Sequence, residues 1–501
     1  MQPLTEKPSP FDDAVAKFGD RKWRLNNLYW IKDRHGNVVK FKLNPAQEQL
    51  LDELHTLNII LKARQLGFST FILILALDCC LFNSHFAAGL IADTQTNAQN
   101  LLDRIKFAYE RLPAQLQELR PVVTQNATEI EFGNGSGVEV GVSLRSSTKN
   151  FLHISEYGKV CAKNPDRAKE IKTGSLNTVA PGQLVFIEST AEGRSGDFFD
   201  KCETSKAARD MGAALGLLEY RFHFFPWFLD DTYRLSKPVK LTPEEEKYFD
   251  ELLAEHGIDL DEEQEWWYAA KAREQGTDMW REFPTTPDEA FKAAKDGAYW
   301  AKEIAALRQR GEIRDLPFET RTPVNTFWDL GVDDSTSIWL HQLIAGKHRF
   351  VGFIEASGEG IAYYLDELEK WRVRHGATFG QHYGPHDVEH RMQGEEAESI
   401  RDIAARLGFH FTVVERTKVK LGSIQAVRTT LPKCQFSVPT VETGLNHLEQ
   451  YSRDWDEKHG VWKSQPRHDE HSHGADAFMT FVDGWNPPPK KAPKHKGPRV
   501  A

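Results

Sequence analysis

Residues 57–70 read Leu-Asn-Ile-Ile-Leu-Lys-Ala-Arg-Gln-Leu-Gly-Phe-Ser-Thr, so a short apolar run leads into a loop with a glycine and two hydroxyl side chains. This order is typical of a strand that feeds a phosphate-binding loop, whose usual form is G-x-x-x-x-G-K-S/T. In that form, backbone N–H groups and the lysine bind phosphates, and the hydroxyl binds Mg²⁺. Gly67 and Ser69 fit, and Thr70 follows them. The loop by itself is equally compatible with an ordinary strand-to-helix turn.

The lysine of this pattern is displaced. Lys62 stands where the first glycine is expected, and Phe68 stands where the lysine is expected. If the loop binds a nucleotide, Lys62 or else Arg64 must therefore supply the positive charge on the β- and γ-phosphates.

The first half of the chain predicts strands that alternate with helices. A buried helix is predicted after the loop, and Thr94 can cap a second helix that runs from Gln95 to about Leu112. Apolar and β-branched runs predict strands at 87–92, 129–132, 138–144, 151–154 and 184–187. This alternation is typical of a parallel sheet covered by helices, with the ligand at the carboxyl ends of the strands.

Residues suited to phosphate chemistry follow these predicted strands. Glu156 can orient or deprotonate the water that attacks a γ-phosphate, although a strand-end salt bridge is the alternative. Ser189 or Thr190 can sense whether that phosphate is present. Upstream, Gln47 can hydrogen-bond an adenine base near Phe41, or it is a surface helix residue.

Composition limits the class of protein. The 501 residues suffice for several domains, and the five cysteines show no C-x-x-C spacing, which argues against a zinc knuckle or a disulfide framework. Neither a signal peptide nor a membrane span is expected. The net charge of −10 is concentrated in the acidic segment 241–265, whereas the end of the chain is rich in Pro and Lys. A DNA partner is therefore not excluded.

The second half predicts a separate core after Pro323. Strands are expected at 324–328, 337–343 and 349–354, then a helix at 361–374, a strand at 379–383 and a late helix at 471–481. Asp329 follows the first of these strands, and Asp387 follows the fourth. Asp476 lies on the last helix. This order is typical of a ribonuclease H-like nuclease, in which three carboxylates bind two divalent metals, Mg²⁺ or Mn²⁺. Asp333 or Asp334 can add a further carboxylate.

Several motifs together resemble the large terminase subunit of tailed bacteriophages, over roughly residues 38 to 484. Residues 63–70 resemble its Walker A loop, including the form with the lysine at the start, and Leu-His-Ile-Ser-Glu at 152–156 resembles Walker B. Glu-Ser-Thr-Ala-Glu-Gly at 188–193 resembles the coupling motif, and 282–291 resembles the segment that joins motor and nuclease. Ser155 departs from the family, because Walker B usually has an aspartate there that supports Mg²⁺.

The resemblance implies an α/β chain in which an ASCE-type P-loop ATPase with a helical lid precedes a ribonuclease H-like nuclease. It also implies that Arg145 is an arginine finger that reaches the neighbouring subunit's ATP, or else a surface arginine paired with a carboxylate. The implied limits are an N-terminal extension at 1–37, the ATPase at 38–230, the lid and linker at 231–320, the nuclease at 321–485 and a basic tail at 486–501.

The family drives double-stranded DNA into a preformed capsid with ATP and Mg²⁺, and cuts the concatemeric genome at initiation and termination. Expected partners are DNA, the portal protein, the small terminase subunit and further copies of the chain in a ring on the procapsid. The expected location is the host bacterial cytoplasm, with transient docking on the procapsid and absence from the mature virion. Two alternatives remain: a helicase or remodeller with an inactive ribonuclease H-like domain, and a transposase- or resolvase-like nuclease that uses ATP as a switch.

Overall fold

The computed structural model describes residues 10–145, 147–291, 297–331, 335–389, 398–415, 420–456 and 461–485. The chain divides into two units, Met1–Ala294 and Lys295–Ala501. The start of the expected N-terminal extension, Asp333, Asp334 and the expected basic tail lie outside the described residues. Within the described ranges, no helix combines the length and the apolar character that crossing a membrane requires. The domain limits given above stay a prediction.

The first unit contains helices and strands in alternation. Its helices are α1 Pro10–Gly19, α2 Arg21–Leu28, α3 Pro45–Asp52, α4 Phe68–Phe82, α5 Gln95–Tyr109, α6 Ala114–Leu119, α7 Tyr157–Lys163, α8 Pro165–Thr173, α9 Asp197–Asp210, α10 Pro243–His256, α11 Glu262–Gln275, α12 Met279–Glu282 and α13 Pro287–Ala290. Its strands are β1 Trp30–Lys32, β2 Val38–Lys40, β3 Leu57–Lys62, β4 Ala87–Ile91, β5 Val122–Gln125, β6 Glu129–Phe132, β7 Gly137–Gly141, β8 Lys149–Ser155, β9 Val179–Ser189 and β10 Tyr220–Phe225.

The main sheet of this unit has eight strands in the order β10-β3-β9-β8-β4-β7-β6-β5. Neighbours from β10 to β7 are parallel, and β6 and β5 extend the sheet with antiparallel pairings. β9 therefore lies between the loop strand β3 and the strand β8 that precedes Glu156, as expected for an ASCE-type ATPase. The carboxyl ends of β3, β9 and β8 lie at one edge of the sheet, where a parallel sheet binds its ligand.

Local sequence accounts for the elements around this edge. The helix α4 is apolar on almost every side and is buried, as the run Phe71–Phe82 predicted. Thr94 caps α5 by accepting a hydrogen bond from the Asn97 N–H, as predicted. The acidic segment forms α10 and the start of α11, and both helices begin with a capping box. Trp267 anchors α11 by stacking on Tyr233, with ring centroids 4.6 Å apart.

The second unit contains one main sheet and the helices that cover it. Its helices are α14 Ala301–Gln309, α15 Ile361–His375, α16 Ile400–Arg406, α17 Lys420–Thr430, α18 Glu442–Gln450 and α19 Ser472–Gly484. Its strands are β11 Ile313–Arg314, β12 Val324–Asp329, β13 Ser335–Ile344, β14 Lys347–Ser357, β15 Phe379–Pro385, β16 Phe411–Val414, β17 Cys434–Ser437, β18 Arg453–Asp456 and β19 Val461–Pro466.

The seven-stranded sheet has the order β11-β17-β14-β13-β12-β15-β16. Strands β12, β13 and β14 form an antiparallel meander, and β15 joins β12 in parallel after the helix α15. The central order β14-β13-β12-β15-β16 is the one expected for a ribonuclease H-like core. The last helix, α19, packs on this sheet through Phe478 and Phe481, whose rings contact Trp339 and Phe327. The predicted α/β fold class is confirmed.

Candidate functional site

The loop between β3 and α4 has the backbone that a phosphate-binding loop requires. Gly67 has φ +77° and directly precedes α4. The free backbone N–H groups at the N-terminus of this helix are suited to bind a phosphate. A Cβ at this position would meet the side-chain nitrogen of Gln47 at 2.8 Å. Gln47 is buried, and its side chain donates to the Gly67 carbonyl at 3.0 Å and accepts from the Asn44 N–H at 3.1 Å. Gln47 therefore supports the loop, and its role as an adenine reader stays a prediction.

Lys62 and Arg64 leave the loop in different directions. Lys62 is buried at the end of β3, with its Nζ 3.1 Å from Glu188 and 3.4 Å from Glu156. Burial opposes the charged form of Lys62, but the charges of Glu188 and Glu156 raise its pKa above the usual value. Arg64 is largely exposed and pairs with Glu282 at 2.9 Å. Of these two cations, Lys62 is thus the one that lies among the residues of the candidate phosphate site.

Glu188, at the end of β9, is the centre of this cluster. Its Oε1 atom accepts hydrogen bonds from Ser69 at 2.7 Å and from Ser155 at 2.8 Å, and lies 3.4 Å from Nε2 of His153. Burial opposes ionisation of Glu188, but the charge of Lys62 and the hydrogen bonds hold its pKa well below the usual value. From the sequence, Glu188 is identified only as part of the motif that resembles the coupling motif. The missing Walker B aspartate is the signal that points to a carboxylate on a neighbouring strand.

The donor atoms in this cluster fit Mg²⁺ bound with ATP, because a hydroxyl and a carboxylate are the hard oxygen ligands that Mg²⁺ prefers. The Oε2 atom of Glu188 is buried and accepts no hydrogen bond within the described part of the chain, although it pairs with the Lys62 charge. The Oγ atom of Ser189 is likewise buried without a hydrogen bond from any described residue. Buried polar atoms of this kind are rare unless an absent group binds them.

Glu156 follows β8 in a backbone conformation that few residues adopt. Its φ is +55°, in the left-handed region, where a non-glycine residue is strained. Burial raises the pKa of Glu156, the charge of Lys62 lowers it and the charge of Glu188 raises it again, with a net upward shift. A raised pKa makes this carboxylate a better base, as activation of a water requires. The nearby Thr190 is buried at the same edge of the sheet.

Two further predicted residues contact neighbours within the chain. Thr70, in the first turn of α4, accepts a hydrogen bond from Arg104 of α5. Arg104 is a residue that the sequence did not suggest. Arg145 is exposed and pairs with Glu170 of α8, at 3.2 Å. This contact corresponds to the alternative expected for Arg145, and the role as an arginine finger stays a prediction.

In the second unit, two of the three predicted carboxylates lie close enough to interact. Asp329 ends β12, and its Oδ2 atom lies 3.0 Å from Nδ1 of His473 on α19. Asp476 lies on the same helix and accepts a hydrogen bond from Lys420 at 2.8 Å. Burial raises the pKa of Asp476, Lys420 lowers it, and the charge of Asp329 raises it, which gives a pKa of about 6. The Oδ1 atom of Asp476 is buried and has no hydrogen bond from the described residues, so the carboxylate pair fits a cation.

Asp387 follows β15, which pairs in parallel with β12, so it lies at the same edge of the sheet as Asp329. The His386 ring lies 3.3 Å from its carboxylate. The described residues form no group of three or more His, Cys, Asp or Glu side chains arranged to hold a metal ion. The structure therefore brings Asp329 and Asp476 together, and the three-ligand site with Asp387 stays a prediction.

A network next to Asp329 was not suggested by the sequence. Glu355 of β14 accepts from Ser337 at 2.6 Å and pairs with His447 at 2.9 Å. His447 in turn lies 3.2 Å from His471, at the start of α19. Burial raises the pKa of Glu355, but the contacts with His447 and Ser337 bring it below the usual value. This network supports α19 at the end that carries His473.

No protein-family model matches the chain. The structure is similar to the large terminase of bacteriophage HK97, with 12% sequence identity and a TM-score of 0.45, over 93% of this chain and 99% of that chain. It is similar to the large terminase ATPase domain of Thermus phage P74-26, with 15% identity and a TM-score of 0.28, over 45% and 93%. It is also similar to the large terminase nuclease domain of P22, with 14% identity and a TM-score of 0.27, over 34% and 87%.

The fold assignment rests on the two strand orders described above and not on matches with identities and TM-scores this low. The solved structures nevertheless come from the family whose motifs the sequence resembles. The predicted resemblance to phage large terminases is confirmed as a similarity to their solved structures.

Proposed function

We propose that this chain is the ATPase and nuclease subunit of a viral DNA-packaging motor. ATP hydrolysis in the first unit drives double-stranded DNA into a preformed capsid. The second unit cuts the concatemeric DNA when packaging begins and ends. The observation that carries this proposal is the presence in one chain of a phosphate-loop cluster and of a ribonuclease H-like sheet with paired carboxylates on β12 and α19.

The proposed ATPase reaction uses the cluster at the carboxyl ends of β3, β8 and β9. Lys62 binds the β- and γ-phosphates, exchanging its contacts with Glu156 and Glu188 for contacts with the nucleotide. Glu156, then free of Lys62, orients and deprotonates the attacking water. Ser69 would hold the Mg²⁺ that accompanies ATP, and this cation would neutralise charge on the phosphates. Ser189 and Thr190 sense the γ-phosphate.

The proposed nuclease uses Asp329, Asp476 and Asp387. Two divalent cations bound by these carboxylates would stabilise the attacking and leaving oxygens of a DNA phosphodiester. Before the cations bind, Lys420 neutralises part of the negative charge on Asp476, and the His473 ring contacts Asp329. Both side chains must therefore move or lose contacts when the metals bind, which makes metal binding compete with these contacts.

The proposed partners are DNA, the portal protein, the small terminase subunit and further copies of the chain. A ring of copies on the procapsid follows from the proposed finger Arg145, because an arginine that acts on a neighbour's ATP requires adjacent subunits. Arg145 is exposed in the segment between β7 and β8, a position that is compatible with a contact between subunits. The proposed location is the host bacterial cytoplasm, with transient docking on the procapsid.

The test measures two activities of one purified protein. ATP hydrolysis is followed by phosphate release, and nuclease activity is followed by nicking of supercoiled plasmid with Mn²⁺. We expect the wild type to show both, Asp329→Ala to lose only the nicking and Glu156→Ala to lose only the hydrolysis. Cleavage that also disappears in Glu156→Ala would contradict the separation of the two sites.

The same assay distinguishes the alternatives. ATP hydrolysis with no Mn²⁺-dependent nicking supports a helicase or remodeller with an inactive ribonuclease H-like domain. This alternative stays open because the described residues form no group of three metal-binding side chains. Nicking with a single turnover of ATP, unaffected by a portal ring, supports a nuclease that uses ATP as a switch. Multiple turnover that a portal ring and DNA stimulate supports the packaging motor.

A further inference from the structure

The strand that precedes Glu156 ends in a serine, at the position where an aspartate would ordinarily support the Mg²⁺ site. An aspartate there accepts a hydrogen bond from the loop hydroxyl and binds the water shell of Mg²⁺. Ser155 has a hydroxyl in place of the carboxylate and supplies no negative charge. The proposed ATPase thus lacks a carboxylate on β8 at this position.

The next strand supplies a carboxylate at the corresponding level. Ser155 and Glu188 are direct partners in the parallel pairing of β8 and β9. Neighbouring strands are only about 4.8 Å apart, a distance that the longer glutamate side chain can bridge. The Oε1 atom of Glu188 accepts the hydrogen bond from Ser69 at 2.7 Å. This is the contact that an aspartate on β8 would otherwise make.

We infer that Glu188 takes the role of the missing aspartate, so that the Mg²⁺-supporting carboxylate of this ATPase has moved by one strand, from β8 to β9. Through its Oε1 atom, Glu188 would orient the Ser69 hydroxyl toward the cation. It is a positioning residue for Ser69 and Mg²⁺. The inference rests on the proposed ATPase function and names the residue that makes its metal site complete.

Ser155 is part of this arrangement. Its hydroxyl donates to the same Oε1 atom of Glu188 at 2.8 Å. An aspartate at 155 would instead bring a second carboxylate next to a side chain that is 0% exposed. Two adjacent buried carboxylates repel each other, so carboxyl groups at 155 and 188 would not both stay ionised. The serine is therefore the residue expected once the carboxylate lies on β9.

Glu188 has a second contact that suggests a different role. Its Oε2 atom pairs with Lys62, so Glu188 could serve only to hold the lysine. The two roles use different oxygens and predict different results. A carboxylate that only holds Lys62 affects nucleotide binding equally with and without Mg²⁺. A carboxylate that supports Mg²⁺ affects the gain in nucleotide affinity that Mg²⁺ brings.

The experiment measures binding of a non-hydrolysable ATP analogue by calorimetry, once with Mg²⁺ and once with EDTA. We expect Glu188→Gln to lose roughly tenfold or more of the wild-type gain from Mg²⁺, the size of one charge-assisted hydrogen bond. Ser155→Asp alone should also lose it. The double variant Ser155→Asp/Glu188→Gln, which returns the carboxylate to β8, should recover most of it.

Glu139→Gln is the matched control, because Glu139 pairs with the buried Lys149 in the same sheet, at 2.6 Å, but at a distance from the loop. It should keep the full gain from Mg²⁺. Melting curves check the folding of each variant. If Glu188→Gln does not fold, Glu188→Asp decides, since it keeps the charge but withdraws the carboxylate from Ser69, and it should lose the gain as well.

The outcomes separate the two levels of the proposal. A wild type that binds no nucleotide overturns both the proposed ATPase and the role of Glu188. A wild type that gains affinity from Mg²⁺, with a folded Glu188→Gln or Glu188→Asp that gains as much, overturns the role of Glu188 alone. An equal loss with and without Mg²⁺ also overturns it and leaves Glu188 as a partner of Lys62.

Discussion

Replacement of Lys62 by alanine tests the displaced lysine through stability and activity together. Lys62 is 5% exposed, and its ammonium group lies 3.1 Å from Glu188, which is 0% exposed. Its removal leaves the buried Glu188 charge without the ammonium group that pairs with it. We therefore expect Lys62→Ala to lower the stability of the first unit and also to abolish ATP hydrolysis.

The magnitude follows from the burial of the pair. Loss of one partner from a buried ion pair costs about 3–5 kcal/mol of unfolding free energy. At about 2–4 °C per kcal/mol for a large domain, Lys62→Ala should melt roughly 6–20 °C below the wild type. The double variant Lys62→Ala/Glu188→Gln removes the stranded charge as well, so it should recover more than half of this loss while remaining unable to hydrolyse ATP.

Thermal unfolding and phosphate release give the two readouts. Lys149→Ala is the control, since Lys149 is another buried lysine of the same sheet but pairs with the partly exposed Glu139. It should retain hydrolysis. Phe68→Lys should not restore activity to Lys62→Ala, because Phe68 is buried against Phe225, with centroids 4.3 Å apart. Normal hydrolysis by Lys62→Ala together with inactivity of Arg64→Ala would refute the reasoning and exchange the roles of the two residues.

Three other outcomes concern the nuclease and the proposed ring. A proton competes with a metal for the Asp476 carboxylate, whose pKa is about 6. In a calorimetric titration, Mn²⁺ affinity should therefore fall about tenfold for each pH unit below about 6. Asp476→Asn should remove this pH dependence. Alanine at Asp329, Asp387 or Asp476 should each abolish Mn²⁺-dependent plasmid cleavage with ATP hydrolysis retained, and wild-type cutting by all three would disprove the assignment. Arg145→Ala and Glu156→Ala subunits, each inactive alone, should regain ATPase activity in assembled mixtures, whereas no recovery would remove the role in trans.

Local sequence predicted most elements of the two main sheets. Apolar runs of strand length located β3, β8 and β12 to within a few residues, because these strands are buried in the interior of a sheet. The strand β10 was missed. It lies at the edge of its sheet and mixes aromatic with charged and polar residues, so its sequence lacks the pattern of a buried strand.

The candidate sites were predictable to the extent that strand ends alone define them. Lys62 and Glu156 each end or follow a strand, and the structure brings their side chains together. The importance of Glu188 depends on the register of β9 against β8, which is a long-range property that neither strand encodes by itself. For Asp387, sheet order predicts the correct edge but not the direction of the side chain.

The direct pairing of Ser155 and Glu188 has a consequence for how such sites diverge among related proteins. Aspartate at 155 with glutamate at 188 crowds two negative charges, and serine with an uncharged residue leaves none, so each single exchange passes through an impaired intermediate. A lineage with its carboxylate at 155 and a lineage with its carboxylate at 188 therefore interconvert only through a variant of lower fitness. Across homologous sequences, the two positions should covary, with one acidic residue per pair and little drift between the alternatives.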